Sequence, residues 1–243
     1  MQSTNYWIGH FKANALQQRI NWDRKPAITA CEKATILASL QAWQLGETSE
    51  GQNLIAAATR YAYKVNDPKY VDAVKLFIKE EQKHGNNLGR YLDAINCPRI
   101  KKDWGDSLFR RVRYFNTSME LWTLAVITVE STAQVFYQSL KDATRCELLK
   151  GICTDILIDE AYHITFQTER LAIIFELKSS FSKAWRVLAY RYFFYATSLV
   201  VWFAHRKLFI AGGNTFVSYL RKMRFKCYKT VRAITHQPEM LWI

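Results

Sequence analysis

The chain has 243 residues, 49% hydrophobic and 23% charged, with only nine glycines and four prolines, which allows one sizeable core and excludes a disordered or low-complexity protein. Thirty-four Lys and Arg against 21 Asp and Glu give a formal charge of +13, a balance that suits nucleic acid, anionic lipid or an acidic partner, and equally a plain basic surface. Five scattered cysteines (Cys31, Cys97, Cys146, Cys153, Cys227) show no Cys-x-x-Cys spacing, and the first twenty residues lack the apolar core of a signal peptide. Both features predict reduced thiols and a cytoplasmic protein.

Residues 1–25 read as an N-terminal extension. A first long helix is expected from about Pro26 to Val65, with Leu40, Trp43, Glu47, Glu50, Leu54, Ala57 and Tyr61 on one stripe. Asn66-Asp67-Pro68 stops it and starts the next, with Asp67 as N-cap and Pro68 in the first helical position. The second helix places Val74, Phe77, Ile78, Glu81, His84, Leu88, Tyr91 and Leu92 on its apolar face and ends at Asn96-Cys97-Pro98. Residues 96–106 read as a crossover. A third helix carries Trp122, Val126, Glu130, Ala133, Tyr137 and Leu140, and breaks near Lys141-Asp142. A fourth carries Leu149, Ile152, Ile156, Glu160, His163 and Ile174. Two further helices are expected at about 181–210 and 215–234. The prediction is all-α: an up-down four-helix bundle with one crossover over residues 26–178, and two additional C-terminal helices over 179–243 packed on it.

The chemistry lies in a doubled pattern. Glu81-x-x-His84 and Glu160-x-x-His163 are 79 residues apart, and a lone glutamate precedes each: Glu50 by 31 residues and Glu130 by 30. All six residues fall on stripes that face the predicted core. Four ionised carboxylates in one core would each cost several kcal/mol and would repel one another. Protonation relieves one or two of them, whereas two divalent cations neutralise the set. Glu and His three apart share a helix face and can present an oxygen and a nitrogen to the same region. Oxygen-rich ligation with one imidazole per metal suits iron or manganese better than zinc. The alternative is a metal-free network of buried Glu and His with complete hydrogen bonding.

This pattern resembles the ferritin-like di-iron carboxylate superfamily over residues 30–178. The second half is the closer match, since Glu130-x-x-Ala133-x-x-x-Tyr137 looks like a ligand helix of rubrerythrins and bacterioferritins. The first half has Asn53 and Ala57 where Ala and Tyr are usual. An internal offset of 80 maps Glu50 onto Glu130 and Glu47 onto Ile127, which selects Glu50 as the ligand. Glu47 is then an extra carboxylate, a proton carrier at the site mouth or an exposed residue. The resemblance implies that Glu81 and Glu160 bridge two metals, that Glu50 and Glu130 are terminal, and that His84 and His163 bind one metal each. By similarity to bacterial multicomponent monooxygenases, Asp159 would orient His84 and Glu80 would orient His163. Tyr137 would hydrogen-bond a ligand carboxylate, serve as a redox-active phenol or pack in the core.

The expected function is a dimetal oxidase or oxygenase, di-iron or mixed iron and manganese, that uses dioxygen to oxidise a small organic substrate. Electrons would come from a separate donor, because no flavin or nicotinamide fingerprint is present. Other readings are an iron-binding or peroxide-scavenging ferritin-like protein, a tRNA-modifying hydroxylase, and a membrane-associated hydroxylase resembling the ubiquinone-biosynthesis enzymes. A homodimer is compatible with any of them. Residues 187–204 form an apolar run broken only by Arg191, read here as a helix packed on the bundle, with peripheral membrane attachment or a true span as alternatives. His205 is a lone histidine at a helix end, a poor prospect as a ligand.

Overall fold

The computed structural model describes residues 1–114, 118–176 and 178–235. Within them lie helices α1 (Thr4–Asn14), α2 (Ala30–Glu47), α3 (Gln52–Val65), α4 (Lys69–Ala94), α5 (Trp104–Tyr114), α6 (Met119–Asp142), α7 (Glu147–Glu176), α8 (Ser180–Ala211) and α9 (Phe216–Thr235), and no strand among the described residues. The apolar stripes of the bundle helices pack against one another. Helices α4, α6 and α7 and the broken pair α2–α3 form the four-helix core, α1 lies along α4, and α8 and α9 cover α6, α2 and α7. Fold class, crossover and the two C-terminal helices are as expected from the periodicity.

Helix ends follow local chemistry. Thr29 and Glu32 form a capping box at the start of α2, satisfying two backbone donors that the first turn leaves open. Ser118 and Ser179 cap α6 and α8. At the α3–α4 turn Asn66 takes the left-handed conformation and Pro68, not Asp67, occupies the N-cap. The Asp67 carboxylate is used elsewhere, accepting a 2.6 Å bond from Thr4 Oγ1 and so tying α1 to the turn.

The expected helix from Pro26 to Val65 is two helices. α2 ends at Glu47, and Thr48–Gly51 form a break before α3. Gly51 sits at φ +66°, and a Cβ there would meet Ile78 Cδ1 at 2.5 Å. Both the left-handed backbone and the close approach of α4 therefore call for glycine. Between α4 and α6 the connection is longer than the expected 96–106 and carries a further helix, α5, beyond those expected.

α8 kinks at His205, where φ is −119° and ψ is 21°. Trp43 Nε1 donates to His205 Nε2 at 3.1 Å, so that nitrogen is an acceptor and the ring is neutral. Nδ1 then carries the proton and faces Ser39 Oγ at 3.0 Å. Both ring nitrogens are thus engaged in joining α8 to α2. Burial pushes the imidazole down to about 4. A histidine whose folded pKa lies below its ordinary value contributes stability above that value and loses it as pH falls. From pH 7 to pH 5 this costs about 2 kcal/mol, with the ordinary pKa near 6.5. Urea unfolding should show that loss as a difference: between pH 7 and pH 5 the unaltered protein should change less favourably than His205→Asn by this amount.

Candidate metal centre

The two Glu-x-x-His pairs lie on α4 and α7, which face each other across the bundle, and α6 brings Glu130 in from the side. Glu47, the last residue of α2, completes the ring. One carboxylate or imidazole atom from each of Glu47, Glu81, His84 and Glu160 falls within 4.8 Å of the others, and the same holds for Glu81, Glu130, Glu160 and His163. Glu81 and Glu160 belong to both groups, so the six residues form two adjoining four-donor sites with a shared edge. The His84 and His163 ring centroids are 5.7 Å apart.

Glu47 stands where Glu50 was expected. Glu50 lies in the break between α2 and α3, is exposed, and accepts a 2.7 Å bond from Gln52 Nε2 at the cavity mouth. The internal repeat misled because the first half contains four more residues between its ligand positions: 34 from Glu47 to Glu81, against 30 from Glu130 to Glu160. The four-residue break accounts for the difference. Glycine also allows the approach of α4 to this end of α2: a Cβ at Gly85 would lie 2.9 Å from Thr48 Cγ2 and 3.1 Å from the Glu47 carbonyl carbon.

The donor atoms are oriented for a shared occupant rather than for one another. His84 Nδ1, His163 Nδ1, Glu81 Oε1 and both oxygens of Glu160 are buried without a hydrogen bond. His163 Nδ1 and Glu81 Oε1 are only 2.7 Å apart, yet out of line for one. Buried polar atoms are rarely left in this state, and a set of oxygen and nitrogen atoms aimed at common points fits two metal ions well. In the protein alone the charges are strained. Burial, with Glu81 and Glu160 nearby, raises the Glu47 carboxyl well above the usual carboxylate range. Burial and the neighbouring Glu160 and Glu81 do the same to Glu130. Burial would also raise Glu81, but the imidazoles of His163 and His84 hold it at about 2.

The far nitrogens of the two histidines face acids from the opposite Glu-x-x-His helix. His84 Nε2 is 3.0 Å from Asp159 Oδ2, and His163 Nε2 is 2.8 Å from Glu80 Oε2. The Tyr137 hydroxyl donates to Glu47 Oε1 at 2.5 Å, and burial together with that carboxylate raises the phenol well above its ordinary pKa.

Sequence reasoning missed what lies beyond these acids. Asn14, at the end of α1, donates from Nδ2 to both Glu80 and Asp159. Arg19 donates to Asn14 Oδ1 and pairs with Asp155 and Asp159, while Lys83 Nζ lies 2.7 Å from Asp159 Oδ2. Trp7 and Phe11 are buried against Phe166 and seat this segment. The polar-apolar alternation Trp7, Phe11, Asn14 was the available signal, an amphipathic helix with a polar residue on its buried face.

On the other side of the carboxylates is a cavity of about 640 Å³. Glu47, Glu81 and Glu130 line it together with Trp43, Leu54, Phe77, Ile78, Trp122, Val126, Val129 and Val201. Trp104 and Phe109 of α5 contribute to its wall, and Trp104 is largely exposed. The lining is apolar except at the carboxylates, at the Thr48–Gly51 break and the adjoining Gln52 and Asn53, and where Asp103, Asp106, Thr132 and His205 reach it.

No protein-family model matches the chain, and neither does any curated protein. Solved structures do. A variant of R2-like ligand-binding oxidase with an anaerobically reconstituted Mn/Fe cofactor superposes with a TM-score of 0.66 at 14% identity, covering 96% of this chain and 94% of that one. Another variant, with an aerobically reconstituted Mn/Fe cofactor, gives 0.64 at 13% identity with the same coverage. A third, with a non-activated Mn/Mn cofactor, gives 0.64 at 13% over 96% and 93% of the two chains. The chain shares the ferritin-like helical fold of these oxidases.

Proposed function

We propose that the protein is a non-haem dimetal oxidoreductase, with iron or iron and manganese, that oxidises a small apolar substrate. The observation that carries this reading is the pair of four-donor clusters sharing Glu81 and Glu160 at the floor of an apolar cavity. Glu81 and Glu160 would bridge, Glu47 and Glu130 would be terminal, and His84 and His163 would each bind one metal through Nδ1. Bound there, the two metals would supply dioxygen activation and redox equivalents. The residues of the chain do the rest. Asp159 and Glu80 fix the ring orientation of the two histidines and raise the basicity of their free nitrogens. Tyr137 holds a proton against Glu47 at the edge of the cavity, where a carboxylate and a phenol could exchange it. Trp43, Phe77 and Trp122 exclude water and offer an apolar surface to the substrate. The size and apolar lining of the cavity favour an organic substrate over iron storage or peroxide removal. The fold neighbours carry Mn/Fe and Mn/Mn cofactors, which supports the choice of metals.

Metal analysis of protein purified anaerobically from iron-replete cells should give about two equivalents per chain. His84→Ala, His163→Ala and Glu47→Gln should each fall to about one or fewer, and Glu50→Gln should stay at the unaltered level. Less than about one equivalent in the unaltered protein would end the dimetal reading. Loss of metal in Glu50→Gln with retention in Glu47→Gln would reverse the placement.

Asn14 gives a second test, one that needs no substrate. Asn14→Leu removes the donor shared by Glu80 and Asp159, so metal affinity should fall by about 10–100-fold. The metal-free protein should lose about 1–3 kcal/mol as two buried acids lose a partner. Competition with a metal-sensitive dye gives the first value and urea unfolding the second.

A further inference from the structure

One face of α8 has no partner in the fold. Phe181, Trp185, Leu188, Tyr192, Leu199 and Phe203 recur at intervals of three, four and seven residues, and they are 38–76% exposed. Such spacing sets them in one line along the helix. Singly exposed apolar residues are ordinary, but a continuous line of large ones marks a contact surface. The opposite face, with Tyr190, Phe194, Val201 and Trp202, is buried on the bundle. α8 is long and apolar enough to cross a membrane. A helix with one side packed on protein is instead placed to lie along a surface.

Charge identifies the surface. Residues 1–176 hold 22 Lys and Arg and 20 Asp and Glu, a near balance. From Lys178 to Arg232 the chain has twelve Lys and Arg and not one Asp or Glu. Lys178 and Arg186 pair with Glu120 of α6. Arg191, Arg206 and Lys207 are exposed on α8, and Arg221, Arg224 and Lys229 are exposed on α9. The two helices present one continuous face. The Phe203 and Phe216 rings are 6.4 Å apart. Burial raises the Tyr195 phenol, while Arg224 of α9 and Arg191 of α8 are both near enough to oppose that shift.

A second copy of the chain is a poor occupant, because docking stripe to stripe would bring basic rows together with no acid to receive them. Nucleic acid would answer the charge and leave the apolar line uncovered. A lipid surface with anionic headgroups answers both, taking large apolar side chains at the acyl boundary and basic ones at the phosphates. We propose that the α8–α9 face docks the protein on an anionic membrane surface. Val200 and Ala204, beside Leu199 and Phe203, line the cavity, so docking sets one cavity wall close to the lipid boundary. The proposal does not depend on the metal centre.

Flotation of the full chain with vesicles tests it, using phosphatidylcholine alone and phosphatidylcholine with about one quarter phosphatidylglycerol. Partitioning should be at least about tenfold stronger on the anionic vesicles at low salt and should weaken as salt screens the charge. Trp185→Glu and Phe203→Glu should each reduce it by about tenfold or more, with an unchanged melting temperature because both side chains are exposed. The double variant Arg191→Gln, Arg224→Gln should lose the preference for anionic vesicles. Equal or negligible partitioning on both vesicle types would overturn the proposal. So would a dimer in sedimentation velocity that Phe203→Glu disperses, or binding to an RNA oligonucleotide in preference to vesicles that Phe203→Glu leaves intact.

Discussion

Four glutamates converge inside one helical bundle, and their mutual repulsion is the constraint around which the rest of the molecule is arranged. Glu47, Glu81, Glu130 and Glu160 are held together by the helices that carry them. Burial alone would push Glu47, Glu81 and Glu130 toward their neutral forms. The imidazoles of His84 and His163 reach the same space. The imidazole of His163 is raised well above its ordinary pKa by Glu81, Glu160 and Glu80 despite its burial. In the protein alone, burial favours protons on Glu47 and Glu130, and the surrounding carboxylates favour one on His163, which eases this constraint. Two divalent cations would meet it without them, and proton release on loading follows directly from the same shifts.

The polar groups form successive shells around that centre. Outside the carboxylates are the histidines, outside these the acids Asp159 and Glu80, and outside these Lys83, Arg19 and the amide of Asn14. Each shell stabilises the one within it. Asp159 is held well below the usual carboxylate range, with hydrogen bonds from His84, Lys83 and Asn14 overcoming its burial. The N-terminal helix is therefore part of the site's electrostatics, although none of its side chains belongs to either donor cluster. The cavity lies on the opposite side, where apolar side chains meet the carboxylates directly, so polar support and substrate space are separated across the bundle.

Local signals carried most of the fold and part of the site. Three-to-four-residue periodicity and Asn66-Asp67-Pro68 placed the later bundle helices and the two C-terminal ones within a few residues, but did not show α1, α5 or the division of α2 from α3. The two Glu-x-x-His pairs were visible because their spacing is set by a single helix turn. The Glu47 position was not, because it depends on where α2 ends. A repeat with a fixed offset assumes equal lengths in both halves, and the Thr48–Gly51 break violates that assumption. Thr-Ser-Glu-Gly in an otherwise helical run was itself a stop signal, since glycine is a poor interior residue and a good left-handed one. Asn14 and Arg19 meet Glu80, Asp155 and Asp159 across more than sixty residues of chain, and no local pattern encodes such a meeting.

Composition averaged over the chain also concealed a division. The formal charge of +13 reads as a generally basic protein, yet residues 1–176 are close to neutral by count. Seven of their acids (Glu47, Glu80, Glu120, Glu130, Asp155, Asp159 and Glu160) are buried, so they contribute to the count without contributing to the surface. Hydropathy has the same weakness on α8, where the average of a packed face and an exposed one resembles a membrane span. Separated by face, the inner residues follow the periodicity of a bundle helix and the outer ones that of an interfacial helix. One helix is thus required to satisfy two solvents. The basic residues of α9 matter for the same reason: they set charge beside an apolar line that the bundle does not cover.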